Sequence, residues 1–317
     1  MAMEYFEFMT EEYQLIENQI NKLKSSQDMD LSLYTGKTGT AIAYFLLAQI
    51  NNHSTNHQKG EDLLIEVMTN LNYITNTKFT TGLTGIGWAI EFMSQKEMIK
   101  VNTDKVLYDF DDLLFKQVSC YKSKSLSLDE GLLGTAYYFY YRILAQSQRV
   151  MPYRQILNDR CLIFLIDEIK EFLYEDKTFN STITAEHIDD KTLAQTFIFL
   201  YLCKQKGIDI EACNKMLWDL KVYITNKFLS DKNSASQHPY LLEAFRQIAK
   251  QTNDVNMLSH LENIYTPNKD FLKTNIKNYI YKDYKLNDDT PLSFIYRICK
   301  ISNSTLWKAF FLFNAKL

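Results

Sequence analysis

Two kinds of hydrophobic pattern alternate along the first half of the chain. Stretches with one apolar stripe predict amphipathic helices at 10–25, 61–75 and 103–119, with a polar loop expected between Asn51 and Gly60. Each is followed by a helix that is apolar on nearly every side, predicted over 38–50, over 85–98 and from residue 130 to about 147. A helix of the second kind must be covered on both sides, so we expect it in an inner layer.

The alternation continues in the second half with less regularity. Amphipathic helices are predicted over 153–174 and 210–229, and inner helices over 193–205 and 240–250. Polar loops are expected at 178–190 and 230–239. Beyond residue 254 helices are predicted at 255–264, 269–282, 292–302 and 305–313. The stripes place Leu113 of the third amphipathic helix and Ile156 of the fourth on the inward faces.

Glycine pairs three residues apart open the first three inner helices. Seven of the nine glycines lie in these motifs: Gly36, Gly39, Gly82, Gly85, Gly87, Gly131 and Gly134. The first glycines are 46 and 49 residues apart, a period that indicates repeated helical hairpins. The motifs are interpreted as architectural, since glycine permits sharp turns and close backbone approach. We expect an all-α fold, an α/α toroid, with one domain over 1–317.

Composition narrows the functional classes. The net charge is −3 with no dominant basic face, which argues against nucleic-acid binding. Five cysteines without a CxxC pair are typical of a reducing compartment, so a cytoplasmic location is expected. The acidic N-terminus does not resemble a signal peptide, and apolar runs such as Leu193–Cys203 are too short to span a membrane.

The glycine-opened helices at 34–47, 81–93 and 130–142 resemble those of the lanthionine synthetase C-like (LanC-like) family. Weaker similarities lie at 190–208, 239–254 and 307–312. The resemblance implies an α/α toroid, commonly of seven hairpins, with a zinc ion held at one mouth by two cysteines and a histidine. In such cyclases zinc activates a cysteine thiol, which adds to a dehydrated serine or threonine of the same peptide.

The chain departs from the residues that this chemistry needs. The register places Ala235 where the first zinc cysteine is expected, and no Cys-His pair occurs. Gln195 takes the place of the family histidine, and Ser127 that of an acidic residue, although Asp129 and Glu130 are close. We therefore expect no cofactor.

Polar residues beside the motifs are candidates for peptide contacts: Tyr34, Lys37, Thr81, Thr84, Asp129, Glu130 and Gln195. Each has a structural alternative as a loop or core residue. Cys203 and His238 are the alternative metal ligands, although a cysteine in an apolar helix is usually structural and a loop histidine is usually surface. His187 is interpreted as part of a solvated loop. Cys161 and Cys213 lie in predicted outer helices, where a role in metal binding is not expected.

Three functions remain open at this point. The first is a zinc-less LanC-like accessory protein that binds a precursor peptide, a lantibiotic dehydratase-type enzyme, or both. The second is an active lanthionine cyclase with rearranged zinc ligands, so whether the chain is an enzyme stays open. The third is a LanC-like scaffold for an unrelated partner.

Overall fold

The computed structural model of the chain describes residues 13–22, 29–51, 54–145, 152–174, 183, 187–230, 238–254, 256–257, 259 and 295. Helices account for most of them, and the only β pairing among them is an isolated bridge between Tyr174 and Ile183. The prediction of an all-α fold is therefore confirmed. The helices predicted at 255–264, 269–282, 292–302 and 305–313 lie essentially outside the described residues. The single domain over 1–317 stays a prediction.

Five helices form an inner layer and lie side by side in chain order. They are α2 (Lys37–Asn51), α4 (Leu83–Gln95), α7 (Leu132–Leu144), α9 (Asp190–Gln205) and α11 (Pro239–Thr252). Nearly every described side chain of α4 and α7 is buried, including Trp88, Tyr137 and Tyr138. These helices are covered on both sides, as their all-round hydrophobicity predicts.

The outer layer packs against the inner helices. It contains α3 (Ser54–Asn70), α5 (Thr103–Val106), α6 (Tyr108–Cys120), α8 (Pro152–Leu173) and α10 (Ile210–Ser230). Residues 13–22 form α1, whose Asn21 accepts a hydrogen bond from Tyr44 of α2 at 2.8 Å. Among the described residues, no helix has the combined length and hydrophobicity needed to cross a membrane.

The loop predicted over Asn51–Gly60 is wrong, because α3 begins at Ser54. The polar first half of α3 nevertheless has a face that points inward and buries Asn56 and Gly60. Gly60 lies over the ring of Phe45, where an added Cβ would stand 3.1 Å from the ring, and His57 meets that ring edge-on at 5.1 Å between centroids. This part of α3 packs through a glycine and an aromatic contact. The prediction failed here because it relied on a stripe of aliphatic side chains.

Other boundaries differ by a few residues. The helix predicted over 103–119 is broken at Leu107 into α5 and α6, and α9 begins at Asp190 rather than at 193. Leu113 and Ile156 were predicted to face inward, but they are 42% and 56% exposed. The buried face of α8 is instead formed by Leu162, Leu165, Ile169 and Leu173.

A buried ion network joins the two layers. Arg142 of α7 is fully buried and contacts three buried carboxylates, those of Glu91, Asp104 and Asp111. The hydroxyl of Tyr138 donates a hydrogen bond to Asp111 at 2.7 Å. Tyr137, Tyr138, Tyr140 and Tyr141 of α7 are all buried in the core.

Candidate functional site

The loops before α2, α4 and α7 share one seven-residue geometry. Each begins with a polar residue whose side chain accepts a hydrogen bond from the backbone N–H two residues later. The bonds are Ser32 N to Asp30 at 2.9 Å, Lys78 N to Asn76 at 3.0 Å and Ser127 N to Ser125 at 3.2 Å. Such turns by Asp, Asn and Ser tighten a loop locally.

The same three polar residues also receive the first N–H of the helix. Their carbonyl oxygens accept hydrogen bonds from Lys37, Leu83 and Leu132 at 2.8, 3.0 and 2.9 Å. The first glycine of each motif lies against this returning chain, and a Cβ on Gly36, Gly82 or Gly131 would overlap atoms of the loop. The glycine motif is therefore the closing part of a loop that begins six residues earlier.

Hydrogen bonds connect neighbouring loops into a continuous rim. Tyr34 N donates to the carbonyl oxygen of Thr80 at 3.2 Å. Phe79 N and Thr80 N both donate to the carbonyl oxygen of Asp129, at 3.1 and 3.2 Å. We define the mouth as loops 30–36, 76–82 and 125–131 together with the N-terminal ends of α9 and α11. The N-termini of five inner helices thus converge there, and their dipoles favour negative charge at this end.

Tyr34, Asp129 and Lys191 form one cluster in the mouth. Tyr34 is buried and hydrogen-bonds to the Asp129 side chain. Burial raises the pKa of Tyr34 well above its ordinary value, and the charge of Asp129 raises it further, so the phenol stays protonated. Lys191 Nζ lies 3.2 Å from Asp129 Oδ2, with both side chains partly exposed. The carboxylate is held between a phenol and an ammonium group.

A second charged cluster lies one residue earlier in α9. Asp190 contacts His238, the residue just before α11, through a short contact between Oδ2 and Nδ1. The other oxygen of Asp190 lies 2.7 Å from Lys227 Nζ of α10. The mouth therefore continues past the last glycine motif, and ion pairs replace the glycine loop there.

The other predicted contact residues take different places. Lys37 turns to the outer layer and pairs with Glu66 at 2.7 Å. Thr84 is fully buried and donates its hydroxyl hydrogen to the carbonyl oxygen of Thr77. Gln195 is buried, and its backbone carbonyl oxygen accepts a hydrogen bond from the Tyr137 hydroxyl at 3.5 Å. Glu130 and Thr81 are exposed at the rim, where Glu130 pairs with Lys78 at 2.7 Å.

The alternative metal ligands are far apart. His238 contacts Asp190 at the first residue of α9, whereas Cys203 lies near the last. At 1.5 Å of rise per residue their positions along α9 differ by about 20 Å, beyond the span of one coordination sphere. Among the described residues no group of three or more His, Cys, Asp or Glu side chains is arranged to hold a metal ion.

A cavity of about 800 Å³ lies at the opposite end of the inner helices. It is lined by the C-terminal ends of α4 and α7 and by residues 99–104. None of the predicted contact residues lines it, so the cavity is separate from the mouth.

Residues 27–180 match a family model described as Lanthionine synthetase C-like protein. Residues 27–180 belong to the LanC-like family. The match spans all three glycine motifs and ends after α8, before the ion pairs of α9 replace the motif. The search of curated proteins found no match.

Zinc, which the LanC-like family implies, does not fit the described mouth. The side chains there that are able to bind it are those of Asp30, Asp129, Glu130, Asp189, Asp190 and His238, and cysteine is missing from this part of the described structure. Asp129, Glu130 and Asp190 are engaged by lysines, and Asp30 and Asp189 accept hydrogen bonds from nearby backbone N–H groups. Asp190 also contacts His238. The expected ligand position at Ala235 lies outside the described residues.

Sequence reasoning missed Lys191 and the three loop-opening residues Asp30, Asn76 and Ser125. The loop-opening residues could be found from the sequence, since each stands six positions before the first glycine of its motif. Lys191 could not be found in this way, because its partner Asp129 is 62 residues away.

Proposed function

We propose that this LanC-like protein is a zinc-less accessory protein of lanthipeptide assembly that binds a precursor peptide at the mouth. The observation that carries the proposal is the rim of linked loops, which offers charged and hydrogen-bonding groups without a set of zinc ligands. Asp129, in the loop before α7, and Lys191, at the start of α9, present a carboxylate and an ammonium group. Glu130 and Lys78 add a second, more exposed pair.

The geometry suits recognition better than metal-assisted cyclisation. A peptide backbone offers N–H donors and carbonyl acceptors, and a mouth with both charges is able to engage both. A lantibiotic dehydratase-type enzyme is the second partner that the family suggests. No described contact favours it over the peptide, so the peptide is tested first.

The active-cyclase alternative finds less support. It needs cysteine and histidine to converge, and Cys203 and His238 stand at opposite ends of α9. Burial also raises the pKa of Cys203 well above its usual range, which disfavours the thiolate that binds zinc.

Site-specific photo-crosslinking tests the peptide proposal. A benzophenone amino acid is placed at exposed Glu130 in the mouth or, as a control, at Tyr73, an outer-layer residue that is 83% exposed. The probe is a synthetic Cys/Ser/Thr-rich peptide of the lanthipeptide precursor type. We expect a crosslink from position 130 and none from position 73. Equal crosslinking at both positions, or none at either, would contradict the proposal.

A further inference from the structure

The turn between α9 and α10 brings two cysteines together away from the mouth. Cys203 lies near the end of α9 and Cys213 in the first turns of α10, and both are fully buried. Burial raises the pKa of the Cys203 thiol, and the neighbouring Cys213 side chain raises it further. The pair therefore lies within the α9–α10 hairpin, on either side of its turn.

One residue of the turn, Ile208, hydrogen-bonds to both cysteines. Ile208 N donates to the carbonyl oxygen of Cys203 at 3.0 Å, and Cys213 Sγ donates to the carbonyl oxygen of Ile208 at 3.5 Å. The turn takes its shape from Gly207 and Asp209, whose φ angles are +75° and +39°. The backbone of the turn therefore holds both cysteines against Ile208.

We propose that Cys203 and Cys213 are a site of reversible oxidation to an intramolecular disulfide. The oxidant is a small-molecule disulfide such as oxidised glutathione. One thiol loses its proton and attacks the oxidant, which releases one glutathione thiolate and forms a mixed disulfide. The second thiol loses its proton and displaces the other glutathione thiolate. Two protein thiols are oxidised, and one glutathione disulfide is reduced to two thiols.

Burial sets the rate of this reaction. Burial raises the pKa of Cys203 well above its usual range, so attack requires the hairpin to open transiently. Once one cysteine has formed the mixed disulfide, refolding of the turn places the second sulfur beside it. Slow formation and an intramolecular product are therefore expected together.

The other described cysteines provide matched controls. Cys161 is also buried, and burial raises its pKa to about 12, but it lies in α8 near Asp111 rather than in this turn. Cys120 is exposed at the end of α6. A Cys120→Ser background removes the thiol most able to cross-link two chains.

The test incubates the full-length Cys120→Ser protein with oxidised glutathione, blocks the remaining thiols and maps peptides by mass spectrometry. We expect a mass decrease of two hydrogen atoms within one peptide pair, 203 with 213. The decrease is lost in Cys203→Ser and in Cys213→Ser and kept in Cys161→Ser. Because a buried serine is able to disturb folding, circular dichroism of each variant accompanies the mapping.

A second measurement does not depend on substitutions. In the oxidised wild-type protein, amide hydrogen exchange at 204–210 should be slower than in the reduced protein. The proposal is overturned if the native protein yields only mixed disulfides with glutathione, or if a 203–213 link forms only after denaturation. Neither outcome bears on peptide binding at the mouth, so the two proposals fail separately.

Discussion

Arg142 and Asp111 form a two-pronged ion pair inside the protein. Arg142 Nη2 lies 2.7 Å from Asp111 Oδ2, and Arg142 Nε lies 3.0 Å from Oδ1. Both side chains are buried, with 0% and 2% exposed. The pair joins inner helix α7 to outer helix α6, and Glu91 and Asp104 approach the same guanidinium. Planar bidentate pairing of this kind is specific to arginine.

Replacing Arg142 by methionine should destabilise the fold strongly. Three buried carboxylates would lose the guanidinium that they share, and breaking a buried pair costs about 3–5 kcal/mol. Urea unfolding measures the loss. Lys122→Met is the control, because Lys122 pairs with Glu171 at the surface and its loss should leave the unfolding midpoint unchanged. An Arg142→Met variant as stable as the control would contradict the structural role.

Gly85→Ala should also destabilise the protein, since the new Cβ would overlap the carbonyl oxygen of Phe79. The obstacle is backbone of the loop, which cannot rotate away, and overpacking of this kind costs about 3 kcal/mol. Gly207→Ala is the comparison. Its Cβ would meet no atom within 4 Å, and only the positive φ of +75° opposes it, at about 1 kcal/mol. Gly85→Ala should therefore lower the free energy of unfolding more than Gly207→Ala does. A larger loss in Gly207→Ala would exclude close backbone approach as the role of Gly85.

The hydroxyl of Thr84 should stabilise the fold through its bond to the loop before α4. Thr84→Val removes the buried donor to the partly buried carbonyl oxygen of Thr77, and loss of such a hydrogen bond costs about 1 kcal/mol. Thr69 also donates to a helix carbonyl oxygen, that of Ile65, but at the exposed surface, so Thr69→Val should be nearly neutral. Thermal unfolding of both variants checks the difference. Equal effects would place the energy in the change of side-chain shape rather than in the hydrogen bond.

Metal analysis of the purified protein should find no stoichiometric zinc. The described mouth lacks cysteine, and its carboxylates contact lysines. Inductively coupled plasma mass spectrometry measures the metal content, with a LanC-like cyclase that carries the Cys and Cys-His motifs as the positive control. One zinc ion per chain would favour the active-cyclase alternative and require ligands outside the described residues.

Lys191→Gln should weaken peptide binding if the mouth is the binding site. The substitution removes the ammonium group beside Asp129 and leaves the helix intact, and we expect the Kd to rise about tenfold, or about 1.4 kcal/mol. Fluorescence anisotropy with the labelled precursor peptide provides the measurement. Lys105→Gln, an exposed site in α5 at the other end of the inner helices, should bind as the wild type does. Loss of affinity in both variants would point to general charge attraction instead.

Much of the fold was predictable because its signals are local. All-round hydrophobicity identified α2, α4, α7 and α9 as inner helices, and the spacing of Gly36, Gly82 and Gly131 gave the period of the hairpins. Errors arose where a face is made of unusual residues. The start of α3 buries Asn56 and Gly60, which no hydrophobic stripe marks. Ile156 belongs to the apolar pattern of α8 but points away from its buried face.

The site was less predictable than the fold. Tyr34 and Asp129 were expected at the rim and do meet there, whereas Thr84 and Gln195 became parts of the core. A polar residue beside a glycine motif is able to face the mouth or to bond the loop behind it. Thr84 bonds the loop, because its hydroxyl donates to the carbonyl oxygen of Thr77, seven residues earlier.

The sequence alone determined the two layers of helices, the glycine-closed loops and the LanC-like resemblance. Each depends on periodicity or on spacing along the chain, and both are visible without coordinates. Only the tertiary structure decided which charges meet: Lys191 with Asp129, Arg142 with three carboxylates, and His238 with Asp190 rather than with Cys203. These pairs join residues between 31 and 62 positions apart, and their choice depends on how whole helices pack.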